Sequence, residues 1–477
     1  MSAIFVLVAA LVSLFAGYPI IQFYSRAKIS TFGAYNVGGI NASGQIPDIP
    51  GLPTLIDADT PASALTRTGF DGQDYVLAFS DEFNTDGRTF WEAVDLHYWA
   101  TGDFEWYDPD AATTKGGNLV LSITEEPIHD LNFRSGMLQS WNKFCFTGGY
   151  IEVNLMLPGS PSISGLWPGA WTMGNLARAG YGATTDGTWP YSYNTCDIGT
   201  LKNQTNVAGT GPQAALTGGS TLYGGTGALS YLPGQRLSAC TCAGGDHPGP
   251  NVQTGRGSPE IDILEAQVSY LKKAFHGAVS QSAQFAPFDD GYEFLNATPQ
   301  TTVYDEANTY INTYKGGVYQ EAVSAVTYTD PTAYELNGGN FATYGWESYP
   351  HVDNGYLTWQ VSDQPAWQIT SASVGPNAPA QIGQRLISEE PMYIILNLGL
   401  SSSFQTINYA DLTFPAHMLV DYVRVYQRAD SPNIGCDPPG MPTSKYIQSH
   451  LNAYSNPNFT TWEEAGYTFP KNSMEGC

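Results

Sequence analysis

Glu260-Ile261-Asp262-Ile263-Leu264-Glu265 alternates acidic and aliphatic residues for four positions and then breaks step. Alternation with β-branched residues marks a half-buried strand, with Ile261 and Ile263 on one face and Glu260 and Asp262 on the other. Glu265 lies an odd number of residues from Glu260, so a straight strand turns it to the opposite face. A single β-bulge near Ile263 or Leu264 inserts one residue out of phase and returns Glu265 to the acidic face. The bland alternative is an ordinary strand with outward acids and isoleucines in the core.

Short β-rich runs recur on both sides of this segment: Tyr75–Phe79, Leu119–Ile123, Tyr150–Leu157, Tyr393–Leu398 and Leu419–Tyr426. Turn clusters separate them, and no strong amphipathic helix is evident. The 477 residues include 51 Gly, 31 Pro, 30 Tyr, 21 Phe and 11 Trp, with only 13% charged; many short strands and tight turns fit that composition. The expected class is all-β, a sandwich or jelly roll over residues 76–430.

Residues 25–75, with Pro47, Pro50, Pro53 and Pro61, read as a stalk or wrapping segment in which no core starts. Residues 174–257 form an insertion dominated by small and polar residues that holds three of the six cysteines. It leads straight into the acidic strand, so it either flanks the site or is a stapled decoration. Residues 431–477 form a C-terminal extension that could wrap back on the domain.

The formal charge of −25, from 44 acidic against 19 basic residues, repels phosphate backbones and excludes nucleic acid as a partner. Cysteines at 145, 196, 240, 242, 436 and 477 lack the C-x-x-C spacing of zinc sites and point to disulfides in an oxidising compartment. Cys240 and Cys242 sit too close to pair with each other, and connectivity stays open. Sequons at Asn41, Asn203, Asn296 and Asn458 agree with that compartment. No metal cluster, phosphate loop or nucleotide-sugar motif appears, so no metal or cofactor is expected.

Residues 1–24 read as a membrane device: Ala3 to Phe23 carries no charge, and a run of about 20 apolar residues spans a bilayer as one helix. A cleaved signal peptide competes, but there is no basic start, no clear A-x-A site, and the apolar run is long. An uncleaved signal-anchor makes this a single-pass type II protein of the endoplasmic reticulum, Golgi or plasma membrane, its main domain lumenal or extracellular. Arg26 and Lys28 alone favour the reverse orientation; cysteines and sequons outweigh them, and a basic segment before Met1 would reconcile the two.

Three carboxyl groups on one groove face suit glycosidic bond cleavage with retention, where nucleophile and acid/base stand about 5–5.5 Å apart across the scissile bond. Asp262, between the glutamates, can hold Glu260 ionised through a hydrogen bond while repulsion raises the pKa of Glu265.

The hexapeptide resembles the bulged active-site signature of glycoside hydrolase family 16, the laminarinase-like β-glucanases. Asp81-Glu82-Phe83-Asn84, Ser135 to Ser140, Gly148 to Val153, Trp167-Pro168-Gly169-Ala170-Trp171 and Asp421 to Tyr426 match in the expected order. Gly180 to Thr185, Gly187 to Tyr191 and Leu232 to Cys242 narrow the likeness to the fungal β-glucan synthesis-associated membrane proteins. That resemblance implies a laminarinase-like, concanavalin A-like jelly roll, a part in β-1,6-glucan assembly, and roles of nucleophile for Glu260, assisting acid for Asp262 and acid/base for Glu265. Family members usually carry a cytoplasmic tail before the membrane helix, whereas this chain begins at the helix.

Sugar rings stack on aromatic faces, so Trp167 and Trp171, which share one strand face, are candidate groove residues, the alternative being that both fill the core. His276, on the neighbouring strand, could touch substrate or the carboxyls, or be structural. Trp346 and Trp359 lie in segments that resemble the family's later groove strands, but are expected mostly in the core. The expected activity is that of a membrane-anchored retaining glycosidase or transglycosylase on cell-wall β-glucan. The alternative is a non-catalytic glucan-binding scaffold beside a membrane synthase.

Overall fold

The computed structural model describes residues 11–18, 54–84, 90–219, 227–271 and 274–477. Two curled antiparallel sheets stack into a sandwich. The first runs, in spatial order, through Thr309–Ile311, Gln320–Tyr328, Ala274–Phe285, Glu260–Leu271, Leu166–Gly174, Met392–Leu400, Met137–Gln139 and Glu92–Ala93. The second is centred on Ala416–Arg428, Gly149–Met156, Ala342–Tyr349, Tyr356–Val361 and Gln364–Thr370. The acidic strand is thus interior to its sheet, paired on both edges.

Alternation along these strands builds the core. Ile261, Ile263, Val279, Ile394 and Leu396 from one sheet meet Ile151, Val153, Trp346, Trp359 and Val425 from the other, all buried. Each such side chain contributes roughly 1.5–3 kcal/mol of apolar burial. Trp346 and Trp359 are in this core as expected, and Trp359 stacks on Trp367 with centroids 4.2 Å apart.

A second apolar cluster lies on the opposite, concave face of the first sheet. Met137, Met173, Tyr393 and Ile395 pack there against Leu176, Ala179 and Tyr181 of the insertion and Tyr446, Tyr454 and Trp462 of the C-terminal extension. Disulfides join Cys145 to Cys436, Cys196 to Cys240 and Cys242 to Cys477. Cys240 and Cys242 each take a distant partner, and the last two bonds tie the insertion to itself and to the chain end. Residues 431–477 do wrap back, through the short helices Ser444–Ser449 and Leu451–Ser455.

One boundary differs from the sequence reading. Residue 76 falls inside the strand Asp74–Asp81, which pairs with Thr66–Thr68, so the sandwich already includes the end of the expected stalk. Leu55, Ile56 and Phe70 pack against buried clusters, because Gly- and Pro-rich composition does not prevent an edge strand from forming. Among the described residues no helix is long and apolar enough to cross a membrane. Most of the expected span 1–24, the stalk up to residue 53 and Asn41 lie outside the described residues. Asn296 and Asn458 are exposed and Asn203 is half-buried.

Candidate active site

The pairing register breaks where the sequence alternation breaks. Asp262 opposes Ser282 and Glu265 opposes Ser280, so one extra residue sits on the acidic strand. On the other edge Asp262 opposes Trp171 and Leu264 opposes Ala170, skipping Ile263. Ile263 and Leu264 are consecutive yet both fully buried, and this bulge returns Glu265 to the face of Glu260 and Asp262. The carbonyls it displaces from the ladder are taken up by side chains: Trp359 Nε1 donates to Asp262 O at 2.8 Å and Gln281 Nε2 to Ile263 O at 3.2 Å.

Asp262 is 1% exposed, while Glu260 and Glu265 are half-buried at the floor of the concave face. Ser282 Oγ and Gln284 Nε2 donate to Asp262 Oδ2 at 2.6 and 3.0 Å. Trp189 Nε1 donates to Glu260 Oε2 at 2.7 Å, and Trp167 Nε1 to Glu265 Oε1 at 3.1 Å.

Desolvation pushes all three carboxyls up. Burial comes first for Glu260, followed by repulsion from Asp262 and Glu265, and it lies well above the ordinary carboxyl range. Burial lifts Asp262 only to about 6, because Ser282 and Gln284 stabilise its anion. Burial and then the charge of Asp262 lift Glu265 to about 8, against the pull of the Trp167 N–H. Glu260 and Asp262 are close enough that each shifts the other, Glu260 up and Asp262 down, as two carboxyl groups do when a proton lies between them. The trio holds protons at neutral pH and has an acid, Glu265, that retains its own.

Trp167 and Trp171 lie on the carboxyl face, not in the intersheet core. Trp167 stacks on Phe404 at 4.3 Å between centroids. Trp171 Nε1 donates to Asn397 Oδ1 at 2.8 Å. Between them Gly169 opposes both Glu265 and Asn397; a Cβ there would stand 2.8 Å from Asn397 Oδ1. His276 is on the neighbouring strand as expected, but the structure does not bring it to the carboxyls. It is exposed at the hairpin end, opposite Ser269 and edge-on to Tyr328.

The family model described as beta-glucan synthesis-associated protein SKN1/KRE6/Sbg1 matches residues 1–477. The chain belongs to this family. It is 48% identical over 446 residues to the beta-glucan synthesis-associated protein KRE6 of Saccharomyces cerevisiae, covering 91% of this chain and 58% of that protein. It is 47% identical over 446 residues to SKN1 of the same yeast, covering 91% of this chain and 54% of that protein. The chain therefore spans little more than half the length of these curated relatives. Among solved structures it is similar to an endo-β-1,3-glucanase of Pyrococcus furiosus, at 18% identity and TM-score 0.44, with 77% of this chain and 98% of that one covered.

Several residues around the carboxyls escaped the sequence reading. Ser282 and Gln284 had a signal: Ser280-Gln281-Ser282-Ala283-Gln284 places polar residues with period two on the strand after the carboxyls. Trp189, Asn397 and Phe404 had none of that kind. They reach the carboxyl face from the insertion, a strand 130 or more residues downstream and the loop after it, through contacts that no local pattern encodes.

Proposed function

We propose that this chain is a retaining glycosidase or transglycosylase acting on cell-wall β-glucan, anchored in a secretory-pathway membrane with the sandwich on the lumenal or extracellular side. The observation that carries the reading is the bulge, which gathers Glu260, Asp262 and Glu265 on one open face with Glu265 pushed up to about 8. Protonated Glu265 donates its proton to the glycosidic oxygen as the C1–O bond breaks. A Glu260 carboxylate oxygen bonds to C1 to give a glycosyl ester. Asp262 takes up the proton it shares with Glu260, which leaves the nucleophile charged, and Trp189 steadies that charge. Glu265, now ionised, then removes the proton of a water or sugar hydroxyl, whose oxygen displaces Glu260 from C1. Water gives hydrolysis; a sugar hydroxyl gives transfer.

The family's link to beta-glucan synthesis supports glucan as the substrate, and the half-buried Trp167 and Trp171 offer aromatic faces for it. Three disulfides suit an oxidising lumen. Mass spectrometry of products from defined β-1,3- and β-1,6-gluco-oligosaccharides tests the activity. Shortened or lengthened chains that Glu260→Gln and Glu265→Gln both abolish are expected.

The raised pKa of Glu260 itself favours one second reading, a glucan-binding scaffold without turnover, because a protonated carboxyl is no nucleophile. Glucan binding by the folded wild type without any product, unaltered in Glu260→Gln, would select that reading.

A further inference from the structure

The carboxyl face continues past Glu265 toward the hairpin that ends the acidic strand. Directly opposed residues of antiparallel strands share a face. Glu265 opposes Ser280, Ser280 opposes Val326 and Val326 opposes Tyr310. Further along, Gln267 opposes Ala278 and Ala278 opposes Tyr328, and beyond them Ser269 opposes His276. Val279, Val323 and Ala325, on the other face of the same strands, are in the intersheet core. Gln267, Ser269, His276, Tyr310 and Tyr328 therefore share the face that carries the three carboxyls.

Burial marks a path over that face. Ser280, Ala278 and Val326 are buried, whereas Glu265, Gln267 and Ser269 are each half-buried. The accessible line thus runs along the acidic strand rather than across it, and Ser269 stands roughly 13 Å from Glu265 at about 3.3 Å per residue. At that end Tyr328 meets both Tyr310 and His276, with ring centroids 6.1 and 5.7 Å away. Both tyrosines are half-buried and His276 is exposed. Tyr310 belongs to a strand three places from that of Ser269, yet Ser269 is near enough to favour its ionised form. The curl of the sheet thus folds Tyr310 back toward the end of the acidic strand.

The chemistry of the carboxyls gives this path a direction. Glu265 protonates the oxygen that leaves C1 and deprotonates the one that replaces it, so the departing or arriving sugar lies on its side, away from Glu260. The surface past Glu265, away from Glu260, is the line of Gln267 and Ser269 and its aromatic end. A neutral sugar chain suits it, because apolar ring faces stack on tyrosine and Gln267 and Ser269 offer uncharged hydrogen-bonding groups.

We propose that Tyr310 and Tyr328 form a distal acceptor subsite, which holds an arriving glucan by its far rings while its reacting hydroxyl stands at Glu265. The inference rests on the glycosidase reading and adds to it a preference for an oligosaccharide over water as acceptor. In the transfer the acceptor oxygen bonds to C1, the bond from C1 to Glu260 breaks, and the hydroxyl proton passes to Glu265. A single sugar at Glu265 does not reach the tyrosines, so only a longer acceptor gains from them.

The test is the partition between transfer and hydrolysis in the full-length protein in detergent, read by mass spectrometry. The donor is a β-1,3- or β-1,6-gluco-oligosaccharide, and the acceptor is isotope-labelled glucose or isotope-labelled glucotetraose of either linkage. In the Tyr310→Ala, Tyr328→Ala double variant the ratio of transfer to hydrolysis should fall at least about fivefold with the tetraose, as the loss of two stacking faces implies, and stay unchanged with glucose. The Tyr310→Phe, Tyr328→Phe protein keeps both rings and should hold the wild-type ratio. An unchanged ratio with the tetraose in the folded alanine variant, or an equal fall with glucose, would overturn the acceptor subsite. Hydrolysis by the wild type without transfer to either acceptor would overturn it too, and each of these outcomes leaves the glycosidase reading intact. A folded wild type that yields no product from any donor would instead overturn that reading, and the inference with it.

Discussion

Trp189, carried by the insertion, places its indole N–H 2.7 Å from Oε2 of Glu260 on the sheet floor. The insertion therefore supplies part of the carboxyl machinery and is not decoration. Hydrogen bonds to a charged acceptor contribute about 1.5–3 kcal/mol, and 1.4 kcal/mol is about tenfold in rate. Trp189→Phe keeps an aromatic ring and removes the donor. It should lower kcat about 10- to 100-fold on a gluco-oligosaccharide with a smaller change in KM, read from initial rates.

On the proposed mechanism, the proton on Glu265 sets the alkaline side of the pH–rate profile. Its pKa is raised to about 8 by burial and by Asp262, so turnover should fall as pH rises through about 8. The same shift makes stability depend on pH. Between about 4.5 and 8 the unfolded chain has lost this proton and the native state keeps it, so native stability declines as pH rises through that window and levels off above it. Melting curves of the wild type and Glu265→Gln from pH 4 to 9 check this. Relative to the variant, the wild type should lose Tm with rising pH; parallel curves would contradict the assignment.

Asp262 owes its lower value, about 6, to the donors Ser282 and Gln284. Gln284→Met removes one donor at similar length and disfavours the Asp262 anion, so the acidic limb of the pH–rate profile should move to higher pH. Ser282→Ala should do the same, and the double variant should move it furthest. An unchanged acidic limb in all three would show that Asp262 does not take part in the proton balance.

The C-terminal extension is held by Cys145–Cys436 at its start and Cys242–Cys477 at its end. Opening the second bond with Cys242→Ser and Cys477→Ser frees a long loop in the unfolded chain, an effect of about 2–5 kcal/mol for native disulfides. The double variant should melt several degrees lower, and limited proteolysis should cleave first within residues 437–477.

The strand content, the intersheet positions of Trp346 and Trp359 and the out-of-phase step at Ile263-Leu264 were all legible, because each is a short-range pattern of apolar and polar residues. The packing of the insertion against the C-terminal extension was not. Trp141, Arg178, Tyr454 and Trp462 come together from segments more than 300 residues apart at the extremes, and nothing in the spacing of aromatics or cysteines says which face they cover. His276, close in sequence to Glu265, is carried by the hairpin four residues beyond Ser280, past the end of the carboxyl row, so sequence proximity did not translate into contact with the carboxyls.

Trp359 links the core to the site. Its ring is fully buried against Trp367, and its Nε1 donates to the carbonyl of Asp262, the residue where the bulge begins. A bulge leaves backbone groups outside the ladder, and a buried carbonyl without a donor costs about 1–3 kcal/mol. Trp359→Phe preserves most of the apolar volume but strips that carbonyl of its partner. The strand can then relieve the cost by slipping the extra residue, which turns Glu265 away from Glu260. Stability should fall modestly while turnover falls by a larger factor than Tm alone explains. Trp367→Phe, which thins the same stack without touching the bulge, is the control: it should lower Tm and leave kcat nearly unchanged in the protein that remains folded.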